Sequence, residues 1–111
     1  MKRLNFFPYY EGLLRERLKT TTFRVGSRPP YTTGEPVMLT IGWRDDEAVE
    51  LHGVRVTDIY QRKVKDLQPR DFEGESPDCR DPAATRLVLS AIYRTVVLED
   101  DDIWIVKFEH V

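Results

Sequence analysis

A single cysteine, Cys79, is all the thiol the chain has, so no disulfide can form within it and a reducing compartment suits it. With no His near it in sequence, Cys79 reads as a bystander rather than a nucleophile. Long apolar runs are missing as well. The longest, such as Leu87 to Ile92, fall far short of the roughly 20 residues that cross a bilayer as a helix. The opening residues are basic but meet Pro8 and Glu11 before an apolar signal core or a small-residue cleavage site can form, and are expected to be the first strand of a cytoplasmic protein. There is no Gly-rich phosphate loop, no HExxH, no CxxC and no GxSxG. The two histidines, His52 and His110, lie far apart in strand-like segments, which suits packing better than a metal site. No metal and no other cofactor is implied.

What is present is the composition of a folded chain: 41% hydrophobic and 11% aromatic residues against 32% charged. The 111 residues fit one domain, 1–111, with a core of its own. Nothing in the sequence sets the oligomeric state. The net charge of −2 argues against a surface built to grip long duplexes. Its distribution is uneven: residues 1–44 carry eight Lys or Arg and only three acids, while the remainder is acidic. The basic half is the half suited to meet an anion.

Leu4 to Phe7 is a short apolar strand closed by Pro8. Tyr10, Leu13, Leu14 and Leu18 recur at helical spacing and predict an amphipathic helix of two to three turns through Arg17. Thr20 to Val25 is β-branched and alternating, so Thr20, Thr22 and Arg24 share one face of a strand while Phe23 and Val25 face a core. Gly26 to Pro36 is a turn-rich loop of a length that is often functional. Val37 to Trp43 and Val49 to Ile59 read as a hairpin, with Gly53 marking a bulge. Asp66 to Glu75 reads as a short helix or turn. Asp81 is a natural N-cap for a helix with Pro82 in its first position, packed through Leu87, Leu89, Ala91, Ile92 and Tyr93. Ile103 to Phe108 is an apolar strand, central or closing a barrel. The order predicts an α+β domain, mostly β: a small, partly open β-barrel flanked by two helices.

The segment Lys19-Thr20-Thr21-Thr22-Phe23-Arg24 carries a resemblance. A helix followed by K-T-x-T-x-R, then Gly34-Glu35 before a strand, an acidic residue past mid-chain, Ile92-Tyr93 at a helix end and a closing Trp104 to Phe108 strand resembles the ASCH domain family, of the PUA-like superfold. The resemblance is strongest to small bacterial amidohydrolases that deacetylate acetylated cytidine. It implies a catalytic lysine, threonine and glutamate at Lys19, Thr22 and Glu75, with Glu73 an alternative acid. The family usually has glycine shortly before the lysine, where this chain has Arg17-Leu18, so a different helix-to-strand turn is expected.

The same residues make chemical sense by themselves. A lysine in a partly desolvated cleft gives up its proton more readily and can serve a neighbouring hydroxyl as base, and a glutamate across the cleft can relay a proton to a leaving amine. Used for binding alone, Arg24 and Arg28 suit phosphate, Thr20 adds a hydroxyl, and Tyr31, Tyr9 or Tyr10 suits stacking on a base. Against both stands a plain alternative, in which Lys19 and Arg24 form surface ion pairs with Glu73 or Glu75 worth about 0 to 1 kcal/mol each. Three functions stay open: recognition of RNA or of a nucleoside or nucleotide, amidohydrolysis of an acylated nucleoside, and a protein-interaction or coactivator-like adaptor.

Overall fold

The computed structural model describes residues 1–111. The chain forms strands β1 (Lys2–Phe6), β2 (Thr21–Arg24), β3 (Pro36–Ile41), β4 (Val49–Lys63) and β5 (Asp102–His110), with helices α1 (Glu11–Arg15), α2 (Pro69–Phe72) and α3 (Pro82–Tyr93). The strands make one sheet in the order β1-β3-β4-β5-β2; β1 runs parallel to β3 and every other pair is antiparallel. This mixed sheet curves into a half-barrel, the PUA-like α+β fold, with β1 and β2 as its two outer strands.

Each strand follows its alternation. Leu4 and Phe6 of β1 and Val37 and Leu39 of β3 are buried on one side of the sheet, with Val54 and Val56 of β4. The near-continuous apolar run of β5 has a specific cause: Ile103 and Ile105 point into one buried cluster, with Phe23, Val64, Leu67 and Leu89, while Val106 and Phe108 point into the other, with Leu4, Leu14 and Val54. β4 is longer than expected, 15 residues, and bends twice. One extra residue sits between Glu50 and Gly53, opposite Met38 and Thr40, and another between Val56 and Asp58. The bulge thus adjoins Gly53.

The first helix is shorter than its apolar spacing predicts. A 3-10 turn at Pro8–Tyr10 runs into α1, which stops at Arg15. Only Leu14 is fully buried, and Leu18 is exposed. In α3 Asp81 caps the helix as expected, its side chain accepting from Ala84 N at 2.7 Å. The buried face is Thr85 and Leu89, however, while Leu87 and Ala91 point to solvent. The Gly26 to Pro36 loop is built into the structure: Tyr31 is buried in the first cluster and Gly34 N donates to Val56 O at 2.7 Å. No helix is long and apolar enough to cross a membrane.

Candidate functional site

β1 and β2 are not joined by backbone hydrogen bonds. Arg24 crosses the space between them, its Nη2 donating to Asn5 O at 2.8 Å. A cleft of about 470 Å3 opens beside it, within the range of about 300 to 1,000 Å3 typical of small-ligand pockets. Lys19, Thr22, Arg24 and Glu75 all line it, together with aromatic residues that include Phe6, Tyr10, Trp43 and Tyr93.

The route that brings Lys19 here begins at the end of α1. Arg17 adopts a left-handed backbone, φ 63°, which turns the chain so that Leu18 N and Lys19 N both donate to Leu13 O, at 2.9 and 3.3 Å. The left-handed position that glycine suits is therefore held by an arginine. Leu18 turns out to solvent and Lys19 turns in, where it is 3% exposed. Next, Thr20 N and Thr21 N both donate to Gly74 O, at 2.8 and 3.1 Å, tying the start of β2 to the segment that carries Glu75. Gly74 has φ 78°, and a Cβ there would collide with Thr20 Oγ1. Only glycine lets the two segments approach so closely.

Glu75 is held on both oxygens. Oε1 accepts from Lys19 Nζ and from Ser76 N at 2.7 Å, and Oε2 accepts from Phe23 N at 3.0 Å. Lys19 Nζ also donates to Ser76 Oγ at 2.8 Å and lies 5.0 Å from the Tyr10 ring centre. Both side chains of the pair are under 5% exposed. This is a buried ion pair supported by further hydrogen bonds, not a pair of solvated surface charges. Breaking such a pair from one side costs about 3–5 kcal/mol. Thr22 accepts from Arg24 Nε at 3.1 Å. No hydrogen bond joins it to Lys19, so the nucleophile–base contact of a hydrolase is not formed in this arrangement.

Two neighbours have acid–base behaviour fixed by burial. The Cys79 thiol, at the cleft wall, is pushed up to about 12 by desolvation and then by the charges of Glu75 and Asp78. It stays protonated near neutrality and is a poor nucleophile. Tyr10 is raised well above the usual phenol range by burial and by its 2.8 Å hydrogen bond to Asp78.

The other sequence candidates lie elsewhere. Thr20 sits against Gly74, outside the cleft lining. Glu73 is exposed, and its backbone carbonyl accepts from Thr21 Oγ1 and Lys107 Nζ, so Glu75 is the acid that meets Lys19. The Arg28 guanidinium stacks on Trp104 at 5.3 Å, away from the cleft. Tyr31 is buried, its hydroxyl donating to Arg3 O, and cannot stack on a base. Tyr9 is exposed but packs edge-on against Trp43, 5.0 Å between ring centres.

Sequence reasoning missed Asn5, Ser76, Trp43 and Tyr93 as partners of this site. Ser76 follows Glu75 directly, and Trp43 ends the strand that the sequence predicts over Val37 to Trp43, two residues past the end of β3, which are the only sequence signals they offer. It also separated His52 and His110, which meet through Nε2 and Nδ1 at 2.8 Å, with His110 Nε2 bonded to Lys19 O at 2.8 Å.

No protein-family model matches the chain, and no protein of curated function matches it in sequence. The half-barrel is nonetheless a known one. A crystallised ASCH domain from Lactobacillus crispatus JV V101 is similar to 98% of this chain and 79% of its own length, with TM-score 0.67 and 8% identity. A protein of the DUF984 family from Enterococcus faecalis V583 is similar to 93% of this chain and 70% of its own length, with TM-score 0.66 and 16% identity. At these identities the likeness is one of fold, and the chain has the ASCH-like form of the PUA-like fold.

Proposed function

We propose that the cleft recognises a nucleoside or nucleotide, free or as an unpaired residue of RNA. The observation that carries this reading is one cavity of about 470 Å3 that joins a polar floor of Lys19, Thr22, Arg24 and Glu75 to aromatic walls that include Trp43 and Tyr93. A nucleobase needs both, an aromatic face to stack on and fixed donors and acceptors for its edge. Trp43 is 52% and Tyr93 37% exposed, so ring surface is available. The net charge of −2 favours one or a few nucleotides over a long backbone.

Calorimetric titration of nucleosides and short single-stranded RNA at low salt tests it. Binding should weaken as salt rises, and Trp43→Ala should lose the roughly 1–3 kcal/mol of one stacked base. Absence of binding to any of these ligands, or binding that Trp43→Ala leaves unchanged, rejects the reading.

The presence of Lys19, Thr22 and Glu75 in one cavity supports a second reading, amidohydrolysis of acetylated cytidine or a related acylated nucleoside. It ranks behind recognition because Lys19 is committed to Glu75 and Ser76, and would have to change partner to take the Thr22 proton. Acetylated cytidine should be turned over by the native protein and not by Thr22→Val or Glu75→Gln, with losses that do not add. A protein that binds nucleosides and releases no acetate is a binder. One that does neither leaves the adaptor as the remaining role.

A further inference from the structure

On the reading of the main cleft as a nucleoside site, we infer that a second, smaller chamber beside it is a subsite for the phosphate of a nucleoside monophosphate. This chamber, about 220 Å3, is lined by Arg3, Asn5, Arg24, Tyr31, Thr40 and Asp45. It shares Asn5, Arg24 and Asp45 with the main cleft, so Arg24 serves both compartments.

Two guanidinium groups therefore border one small polar space, and neither is neutralised. Arg3 and Arg24 take part in none of the ten ion pairs of the protein. Their hydrogen bonds go to uncharged acceptors: Arg3 to Ala48 O at 3.4 Å, Arg24 to Thr22 Oγ1 at 3.1 Å and to Asn5 O at 2.8 Å. Arg24 Nη1 remains free to donate. The hydroxyls of the walls are already engaged: Thr40 Oγ1 donates to Asn5 Oδ1 at 2.8 Å and the Tyr31 hydroxyl donates to Arg3 O. Recognition falls to the two forks, whose planar donors match the oxygens of a phosphate. Asp45, exposed in the 3-10 turn at Asp45–Glu47, is the one opposing charge. Its carboxylate repels the anion and holds the affinity of the subsite down.

The test compares cytidine with its 3′- and 5′-monophosphates at low salt, by calorimetry. At least one monophosphate should bind about tenfold tighter than cytidine, the effect of one added charge-assisted hydrogen-bonding group. Arg3→Ala, an exposed position, should abolish that preference while leaving cytidine affinity unchanged, and Asp45→Asn should enlarge it. Equal binding of nucleoside and monophosphates, or a preference that survives Arg3→Ala, overturns the subsite. Inorganic phosphate, titrated while the Arg3 and Arg24 Nε–H signals are followed by NMR, separates this inference from the reading it rests on. Saturating shifts together with no cytidine binding would leave the phosphate chamber standing and remove the nucleoside; unmoved signals remove the chamber.

Discussion

Two residues other than glycine have a left-handed backbone, Arg17 at φ 63° and Arg94 at φ 52°, and each ends one of the two principal helices. Left-handed backbone costs a residue with a Cβ about 1–2 kcal/mol, of which glycine recovers part, less its own larger loss of chain freedom. Replacing Arg17 with Gly should therefore stabilise the protein by roughly 0.5–1 kcal/mol, read as a higher urea midpoint with an unchanged slope. The Arg17 side chain offers little in return, a 3.5 Å contact to Val111 O. An unchanged or lower midpoint would mean that the arginine contributes more than its geometry indicates. Among single residues, the resemblance named Lys19, Thr22 and Glu75 and strand alternation set Arg24 beside Thr22, and the fold brings all four to one cleft. It could not separate Glu75 from Glu73, because the choice is made by Gly74 docking on Thr20 and Thr21, a contact between segments more than fifty positions apart.

Among the elements, α3 supplies Val88, Leu89, Ile92 and Tyr93 to the cleft, so its first turn supports the site from a distance. Asp81→Ala removes the acceptor for Ala84 N and should cost about 1 kcal/mol of stability, measured by thermal or urea unfolding. Asp81→Ser should restore most of it. Strand and helix identities were legible from alternation and capping, and the boundaries less so. The leucine spacing carried the first helix through Arg17 because a periodic pattern does not register that the backbone has reversed beneath it. The face of α3 was misjudged for a related reason: Leu87 is apolar in composition, yet the helix docks on Val64 and Ile103 through Leu89, and that docking lies outside any local window.

Over the whole molecule, the pairings that close the half-barrel join distant segments, and none leaves a local trace in sequence. His52 and His110 are the clearest case. His110 Nε2 donates to Lys19 O, and His110 Nδ1 shares a hydrogen bond with His52 Nε2. His52 titrates below the ordinary 6.5, chiefly through desolvation and then through the charges of His110, Arg17 and Arg15. The unfolded chain therefore takes up the proton first. The contribution of His52 to stability is whole above 6.5 and declines as pH falls below it, until the folded pKa is passed. Urea midpoints at about pH 7.5 and about pH 5.5 should differ in that direction, and His52→Gln should narrow the difference. A gap of the same size in the variant would assign the loss to the carboxylates.

β2 bonds to one strand only, and that strand is β5, the last of the chain. On the ribosome, Lys19, Thr22 and Arg24 emerge early and wait. Nothing in the first hundred residues can offer them a sheet edge, because their ladder partners are Trp104 to Lys107. The half formed by β1, β3 and β4 can pair as it is made, while the residues of the cleft take up their places only once the nine-residue β5 has left the exit tunnel. A nascent chain halted before Asp102 should present a paired β3–β4 hairpin and no cleft, because the strand that seats Lys19, Thr22 and Arg24 has yet to be made.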